Sequence, residues 1–147
     1  MYRAARSDPR APDAALYPDI LRGINVLVVD DDADGRTLAS EILEQHGAEV
    51  RTAPSASQAL RLLQSGARPP DVLISDLGMP QVDGYELIRR VRSLPPASGS
   101  MVRAIALTAY GTASDRRKAI AAGFDLHVSK PFTPDQLVAA CLSLTRA

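Results

Sequence analysis

An α/β domain of the doubly wound kind, with a parallel sheet between two layers of helices, follows from three features of this 147-residue chain. Short apolar runs alternate with stretches of helical periodicity, giving five candidate strands and five candidate helices. Four of those runs end in a reactive side chain. Val26-Leu27-Val28-Val29 leads into Asp30-Asp31-Asp32, Asp71-Val72-Leu73-Ile74-Ser75 into Asp76, Ile105-Ala106-Leu107 into Thr108, and Leu126-His127-Val128-Ser129 into Lys130-Pro131. The connections between strands are long enough for helical crossovers, which parallel neighbours require and which cover both faces of the sheet. In such a sheet the carboxyl ends of the strands line one edge, so groups distant in sequence meet there.

The elements follow in order. Residues 1–22 are rich in Arg, Asp, Pro and Ala, with Pro9, Pro12 and Pro18 breaking any period, and read as a flexible leader or linker; structure is expected from near Ile24. A strand over residues 24–30 precedes a helix over about 34–46, where Leu38, Ile42 and Leu43 fall at helical spacing and Gly47 suits the helix end. A short strand over 49–53 and a helix over about 57–64 come next, then a strand over 72–76 and a Gly/Pro loop. The chain continues as a helix over about 85–94, with Pro95-Pro96-Ala97-Ser98-Gly99 as the connecting loop, and a strand over 102–107. A helix over about 114–122, a strand over 125–129 and a helix over about 134–144 complete the alternation, so residues 23–147 form one domain.

Composition removes several functions. Seventeen basic residues balance seventeen acidic ones without a long Lys/Arg run or interleaved aromatics, which argues against direct nucleic-acid binding. No apolar stretch approaches the roughly 20 residues that span a bilayer, and the amino terminus lacks a secretory core, so a cytoplasmic protein without membrane insertion is expected. Cys141 sits among Leu137, Val138 and Leu142 and reads as core. Arg89-Arg90 and Arg116-Arg117-Lys118 read as solvated helix faces, and His46 as a capping or surface residue.

The strand-end residues carry the chemistry. Carboxylates about 4 Å apart at an effective dielectric near 20 repel by about 4 kcal/mol per pair, so Asp30, Asp31 and Asp76 together call for a cation. Mg²⁺ suits them, being satisfied by carboxylate, carbonyl, water and phosphate oxygens; the backbone carbonyl of Gly78 is a further candidate ligand. A carboxylate attacking phosphorus forms an aspartyl phosphate, and Asp76, alone at its strand end, is the candidate acceptor. Lys130 offers a point charge and Thr108 a hydroxyl for the phosphoryl oxygens, with Pro131, a residue type that permits a cis peptide before it, fixing the turn that aims Lys130. Asp83-Gly84 reads as a turn leading into a helix.

Taken together, Asp30-Asp31-Asp32, Ser75-Asp76-Leu77-Gly78-Met79-Pro80 with Asp83-Gly84, Leu107-Thr108-Ala109 and Ser129-Lys130-Pro131-Phe132 resemble the motif set of response-regulator receiver domains, over about residues 23–147. The resemblance implies a flavodoxin-like sheet of order 2-1-3-4-5. It implies that Asp76 takes a phosphoryl group from a histidine kinase or a histidine phosphotransfer protein. Asp30, Asp31, Asp76 and the Gly78 carbonyl would hold Mg²⁺, and Thr108 and Lys130 would contact the phosphoryl oxygens. It further implies a switch in which Thr108 moves toward the phosphate and an aromatic residue of the last strand turns inward behind it. His127 occupies that place here, where Phe or Tyr is usual. Gly78 and Tyr110, two residues beyond Asp76 and Thr108, are expected to tune the lifetime of the phosphorylated state, bulky Tyr110 slowing loss of phosphate.

The implied protein is a phosphoacceptor, not an enzyme with an external substrate, and a monomer or weak homodimer. The run Leu21-Arg22-Gly23-Ile24-Asn25-Val26-Leu27 resembles the lead-in to receivers of hybrid kinases, so a free regulator and a hybrid-kinase receiver both remain open. The rival is a Mg²⁺-dependent phosphohydrolase of the haloacid-dehalogenase kind, acting through an aspartyl phosphate. That family uses the first-strand acid as nucleophile and places further metal-binding acids after the lysine; here only Asp135 follows Lys130.

Overall fold

The computed structural model describes residues 17–109 and 111–145. Apolar runs become β1 (Asn25–Val29), β3 (Val72–Asp76), β4 (Arg103–Thr108) and β5 (Leu126–Ser129), and the more polar segment between the first two helices becomes the edge strand β2 (Glu49–Ala53). The amphipathic segments become α1 (Ala33–Glu44), α2 (Ala56–Leu63), α3 (Gly84–Arg92), α4 (Ala113–Ala122) and α5 (Pro134–Thr145), with a short 3-10 turn at Pro96–Ser98 in the connecting loop. All four strand pairings are parallel and the order is β2-β1-β3-β4-β5, the arrangement the motif resemblance implied.

Successive strand side chains point to opposite faces, and here both faces are apolar because both are covered. Val26, Val28, Ile74, Ile105 and Leu107 pack with Ile42 and Leu43 of α1 and Leu137, Val138 and Cys141 of α5. Leu27, Val29, Leu73, Ala104 and Ala106 pack with α2, α3 and α4 through residues such as Leu63, Leu87, Ile88 and Ala119. Burying a side chain the size of Leu27 or Leu73 completely contributes about 1.5–3 kcal/mol, so the central strands hold the two layers together. Cys141 is core, and burial pushes its thiol up to about 12.

Each helix that leaves the carboxyl edge is started by a cap. Asp32, Ser55, Asp83 and Thr112 accept hydrogen bonds from backbone N–H groups at the starts of α1, α2, α3 and α4. At α5, Thr133 Oγ1 accepts from the Gln136 N–H while Gln136 Oε1 accepts from the Thr133 N–H, a reciprocal capping box. These caps fix where the loops turn, and therefore where the strand-end side chains sit.

The ordered packing begins before Ile24. Leu21 is fully buried, and its N–H donates to the His46 carbonyl at 2.7 Å. Gly47 accommodates this turn twice over: its φ of +97° ends α1, and a Cβ there would lie 3.0 Å from the Arg22 nitrogen. His46 is correspondingly buried and not a surface residue, with Nδ1–H donating to the Ile42 carbonyl at 2.6 Å. Residues 1–16 of the expected leader lie outside the described residues.

Candidate functional site

The twisted parallel sheet brings Asp30, Asp31 and Asp76 together from the ends of β1 and β3, which are neighbours in the sheet. The Asp30 N–H donates to the Ala53 carbonyl and the Leu77 N–H to the Leu107 carbonyl, so the ladder of hydrogen bonds runs on into the acidic loops and holds their bases. One carboxylate oxygen from each of the three acids lies within 4.8 Å of the others. Asp30 is buried, Asp31 exposed and Asp76 in between, so the cluster forms a concave, hard-oxygen pole open on one side. Such a donor set fits a hard divalent cation, and these are the residues that can hold one. Asp32, the third of the consecutive acids, is spent on capping α1 through the Gly35 N–H.

Lys130 completes the constellation from β5. Its Nζ lies 3.2 Å from Asp76 Oδ1 and 3.7 Å from Asp30 Oδ2. The Lys130 N–H donates to the Thr108 carbonyl at 2.7 Å, which locks the lysine and the threonine side by side at the ends of paired strands. The peptide between Lys130 and Pro131 is cis. Thr108 itself is buried at the end of β4. Every residue expected to touch metal or phosphoryl through a side chain therefore stands on one edge of the sheet.

The electrostatics favour a cation. Burial raises the pKa of Asp30 first, Asp76 and Asp31 raise it further, and the Asp32 N–H and the Lys130 ammonium oppose them. One lysine thus only partly offsets three acids. The Asp30 carboxylate is also fixed mechanically: Oδ1 accepts the Asp32 N–H at 2.9 Å, and the Asp30 carbonyl accepts from Arg36.

Two glycines bear on this geometry in ways that sequence reasoning missed. A Cβ on Gly35 would come within 2.6 Å of Asp30 Oδ2, so any larger residue there displaces that carboxylate from its place beside α1. The available signal was a glycine in the first turn of a helix, where the residue type is otherwise unfavourable. A Cβ on Gly84 would lie 2.5 Å from the Asp76 carbonyl and 2.8 Å from Leu77 Cα, so Gly84 serves close approach of α3 to β3 more than a turn conformation. Gly78 faces open space, while Tyr110 lies outside the described residues.

A cleft of about 450 Å³ opens beside the acids, bounded by Asp30, Asp32, Leu38, Lys130 and Phe132. His127 stands apart from it on β5, opposite Ala106 of β4. Its Nε2 is buried with no hydrogen-bond partner among the described residues. Burial and the nearby Arg116 lower its pKa, and Asp115 pulls the other way.

Known proteins share both this fold and its sequence. The sequence pattern described as "Response regulator receiver domain" matches residues 26–142. An uncharacterized 14.6 kDa protein of Leptolyngbya boryana is 47% identical over 118 residues, which cover 80% of this chain and 87% of that protein. Hybrid signal transduction histidine kinase D of Dictyostelium discoideum is 36% identical over 139 residues, 92% of this chain but 9% of the kinase. This chain therefore corresponds to a small part of that relative. Among solved structures, a putative response regulator from Chloroflexus aurantiacus superimposes with a TM-score of 0.75 at 34% identity, covering 82% of this chain and 96% of that one. The chemotaxis protein CheY4 of Vibrio cholerae gives 0.75 at 31% identity, covering 82% and 98%. No described helix is long and apolar enough to cross a membrane. With strand order, acidic cluster and relatives in agreement, the chain belongs to the response-regulator receiver domains of two-component signalling.

Proposed function

We propose that Asp76 accepts a phosphoryl group from a phosphohistidine on a histidine kinase or a histidine phosphotransfer protein. The observation that carries this reading is the position of Lys130 Nζ, 3.2 Å from Asp76 Oδ1, beside three converging carboxylates. An Asp76 oxygen attacks phosphorus, the P–N bond to the donor imidazole breaks, and the departing imidazole takes up a proton. Bound Mg²⁺, held by Asp30, Asp31, Asp76 and the Gly78 carbonyl, would neutralise the charge of the acids and of the phosphoryl oxygens. Lys130 presents its ammonium to a second phosphoryl oxygen and Thr108 donates its hydroxyl to a third.

Phosphorylation adds about −1.5 to −2 charges to a crowded edge, which biases the position of Thr108 and, behind it, of His127. In this reading Gly78 and Tyr110 flank the path of hydrolytic water and set how long the phosphoryl group survives. The receiver unit takes residues 23–147, reinforced by Leu21, with residues 1–22 leading into it, and it works in the cytoplasm as a monomer or weak homodimer.

The test is incubation with a small phosphodonor such as acetyl phosphate and Mg²⁺, followed by intact-mass measurement. One phosphoryl group per chain, absent without Mg²⁺ and absent in Asp76→Asn, is the expected result. Rapid multiple turnover of phosphomonoesters without a labelled protein would instead assign the chain to hydrolysis.

A further inference from the structure

The cleft beside the acids is larger and more apolar than phosphoryl transfer to Asp76 by itself requires. It encloses about 450 Å³, and Leu38, Leu107, Ala109, Pro131 and Phe132 supply its apolar walls. Leu107 is buried and Phe132 packs against the core, so the fold fixes those two surfaces. Leu38 differs from them. It stands one turn before Ile42 on α1, at the margin of the stripe that packs on the sheet, yet 53% of it is exposed. Set across from Pro131 and Phe132, it gives a concave apolar surface with a few polar groups at its border, which is the usual make-up of a small-molecule site.

Its place relative to the acceptor narrows what it could take. Asp30 and Lys130 belong both to the cleft and to the acidic edge, whereas Asp76 does not line the cleft. Seen from Asp76, the cleft begins beyond the lysine and the buried acid. In-line attack puts the leaving group on the side of phosphorus opposite the attacking oxygen, so a donor whose phosphoryl group lies between Asp76 and Lys130 sends its leaving group outward, along these walls. Charge narrows the choice again. Asp32 and Asp34 line the cleft and are exposed at its rim. A further anionic group on the leaving part of a donor meets them, while a neutral apolar part meets Leu38 and Phe132.

We propose that this cleft is a leaving-group subsite for small acyl phosphates, favouring donors whose acyl group is neutral, apolar and larger than acetyl. The inference rests on the phosphoacceptor reading of Asp76. An Asp76 oxygen attacks phosphorus, and the P–O bond to the acyl group breaks with its electron pair. The departing carboxylate leaves ionised, so the step needs no proton, oxidant or reductant. Each methylene-sized group of the donor that Leu38 and Phe132 shield from water is worth about fourfold in affinity. Because those contacts exist before and during transfer alike, they lower the half-saturating donor concentration and leave the maximal rate little changed.

The experiment labels the full chain with acetyl phosphate or benzoyl phosphate in Mg²⁺ at neutral pH and follows the phosphorylated fraction by quenched-flow intact-mass measurement. Acetate and benzoate are leaving groups of similar basicity, so the ratio of the two rate constants at low donor concentration reports the surroundings of the acyl group. Benzoyl phosphate is expected to be the better donor by about tenfold or more, with the gain in the half-saturating concentration. Leu38→Asp, at an exposed helix position where the fold tolerates it, brings the ratio to within about twofold of one. Its added charge acts alike on two donors with the same phosphoryl charge and cancels in the ratio. A carboxylate on the ring, in 4-carboxybenzoyl phosphate, slows labelling of the parent relative to benzoyl phosphate, and Asp34→Asn narrows that gap.

A benzoyl-to-acetyl ratio near one in the parent, or a ratio that Leu38→Asp leaves unchanged, overturns the inference alone. Failure of every donor to label Asp76 removes the phosphoacceptor reading beneath it.

Discussion

Replacing Asp30 by Asn removes one charge from the acidic cluster while preserving the Oδ1 that accepts the Asp32 N–H. In the absence of metal this change should stabilise the domain. At separations within 4.8 Å and an effective dielectric near 20, each of the repulsions of Asp30 by Asp31 and Asp76 amounts to about 3.5 kcal/mol. The Lys130 ammonium at 3.7 Å returns about 4.5 kcal/mol on the same scale. Solvent trims both the Asp31 repulsion and the Lys130 attraction. Burial of the Asp30 carboxylate, the largest influence on it, adds to the unfavourable side. A gain of about 1–2 kcal/mol results, or about 4–8 °C in melting temperature for a domain of this size.

Thermal unfolding at neutral pH in a chelator measures it. Mg²⁺ should then reverse the order: at a hundred times its dissociation constant it stabilises the parent by about 2.7 kcal/mol, and the variant far less. The pH dependence has a definite sign as well. Because the folded-state pKa of Asp30 is raised, its charge penalty is full above that pKa and is relieved as pH falls through it, so the gap between variant and parent narrows on acidification. An Asp30→Asn protein less stable than its parent in chelator, or equal stabilisation of both by Mg²⁺, would refute the reasoning.

Gly35→Ala improves helix propensity yet drives a methyl into Asp30 Oδ2, so Mg²⁺ affinity by calorimetry should weaken at least tenfold with the fold retained; unchanged affinity contradicts the close approach. Gly84→Ala meets backbone at the Asp76 carbonyl and Leu77 Cα, and denaturant unfolding should show a loss of about 1–3 kcal/mol. Arg92→Met removes hydrogen bonds to the carbonyls of Ser100, Val102 and Gly123 and the pairing with Asp125. Its cost should be about 2–4 kcal/mol, with acetyl-phosphate labelling of Asp76 unaltered below the melting transition.

What could be read from the chain and what could not divides along a physical line. Val26 to Val29 and Val72 to Ile74 are apolar at every position because helices cover both faces of the sheet, and that pattern needs no partner to interpret. Asp76, Thr108 and Lys130 were legible because a parallel sheet puts the carboxyl ends of its strands on one edge. Asp30 and Asp31, the two acids set beside Asp76 in the sequence, do join it, but the use of Asp32 as the cap of α1 is a matter of loop geometry that the run of three acids does not display. Leu21 and His46 are buried by each other's turn, a pairing between segments that carry no periodic signal. Arg92 follows Arg89 and Arg90 in a polar stretch, but it alone reaches the loops before β4 and β5, because it lies at the end of α3. Close approach, as at Gly35, is a property of two backbones at once and leaves little trace in either.

The most direct measurement reduces the acyl phosphate with borohydride after incubation with acetyl phosphate and Mg²⁺, then locates the modified residue by peptide mass spectrometry. The account requires homoserine at position 76, formed only when both reagents are present. Reduction at another carboxylate, or the same yield of homoserine with Mg²⁺ withheld, contradicts it.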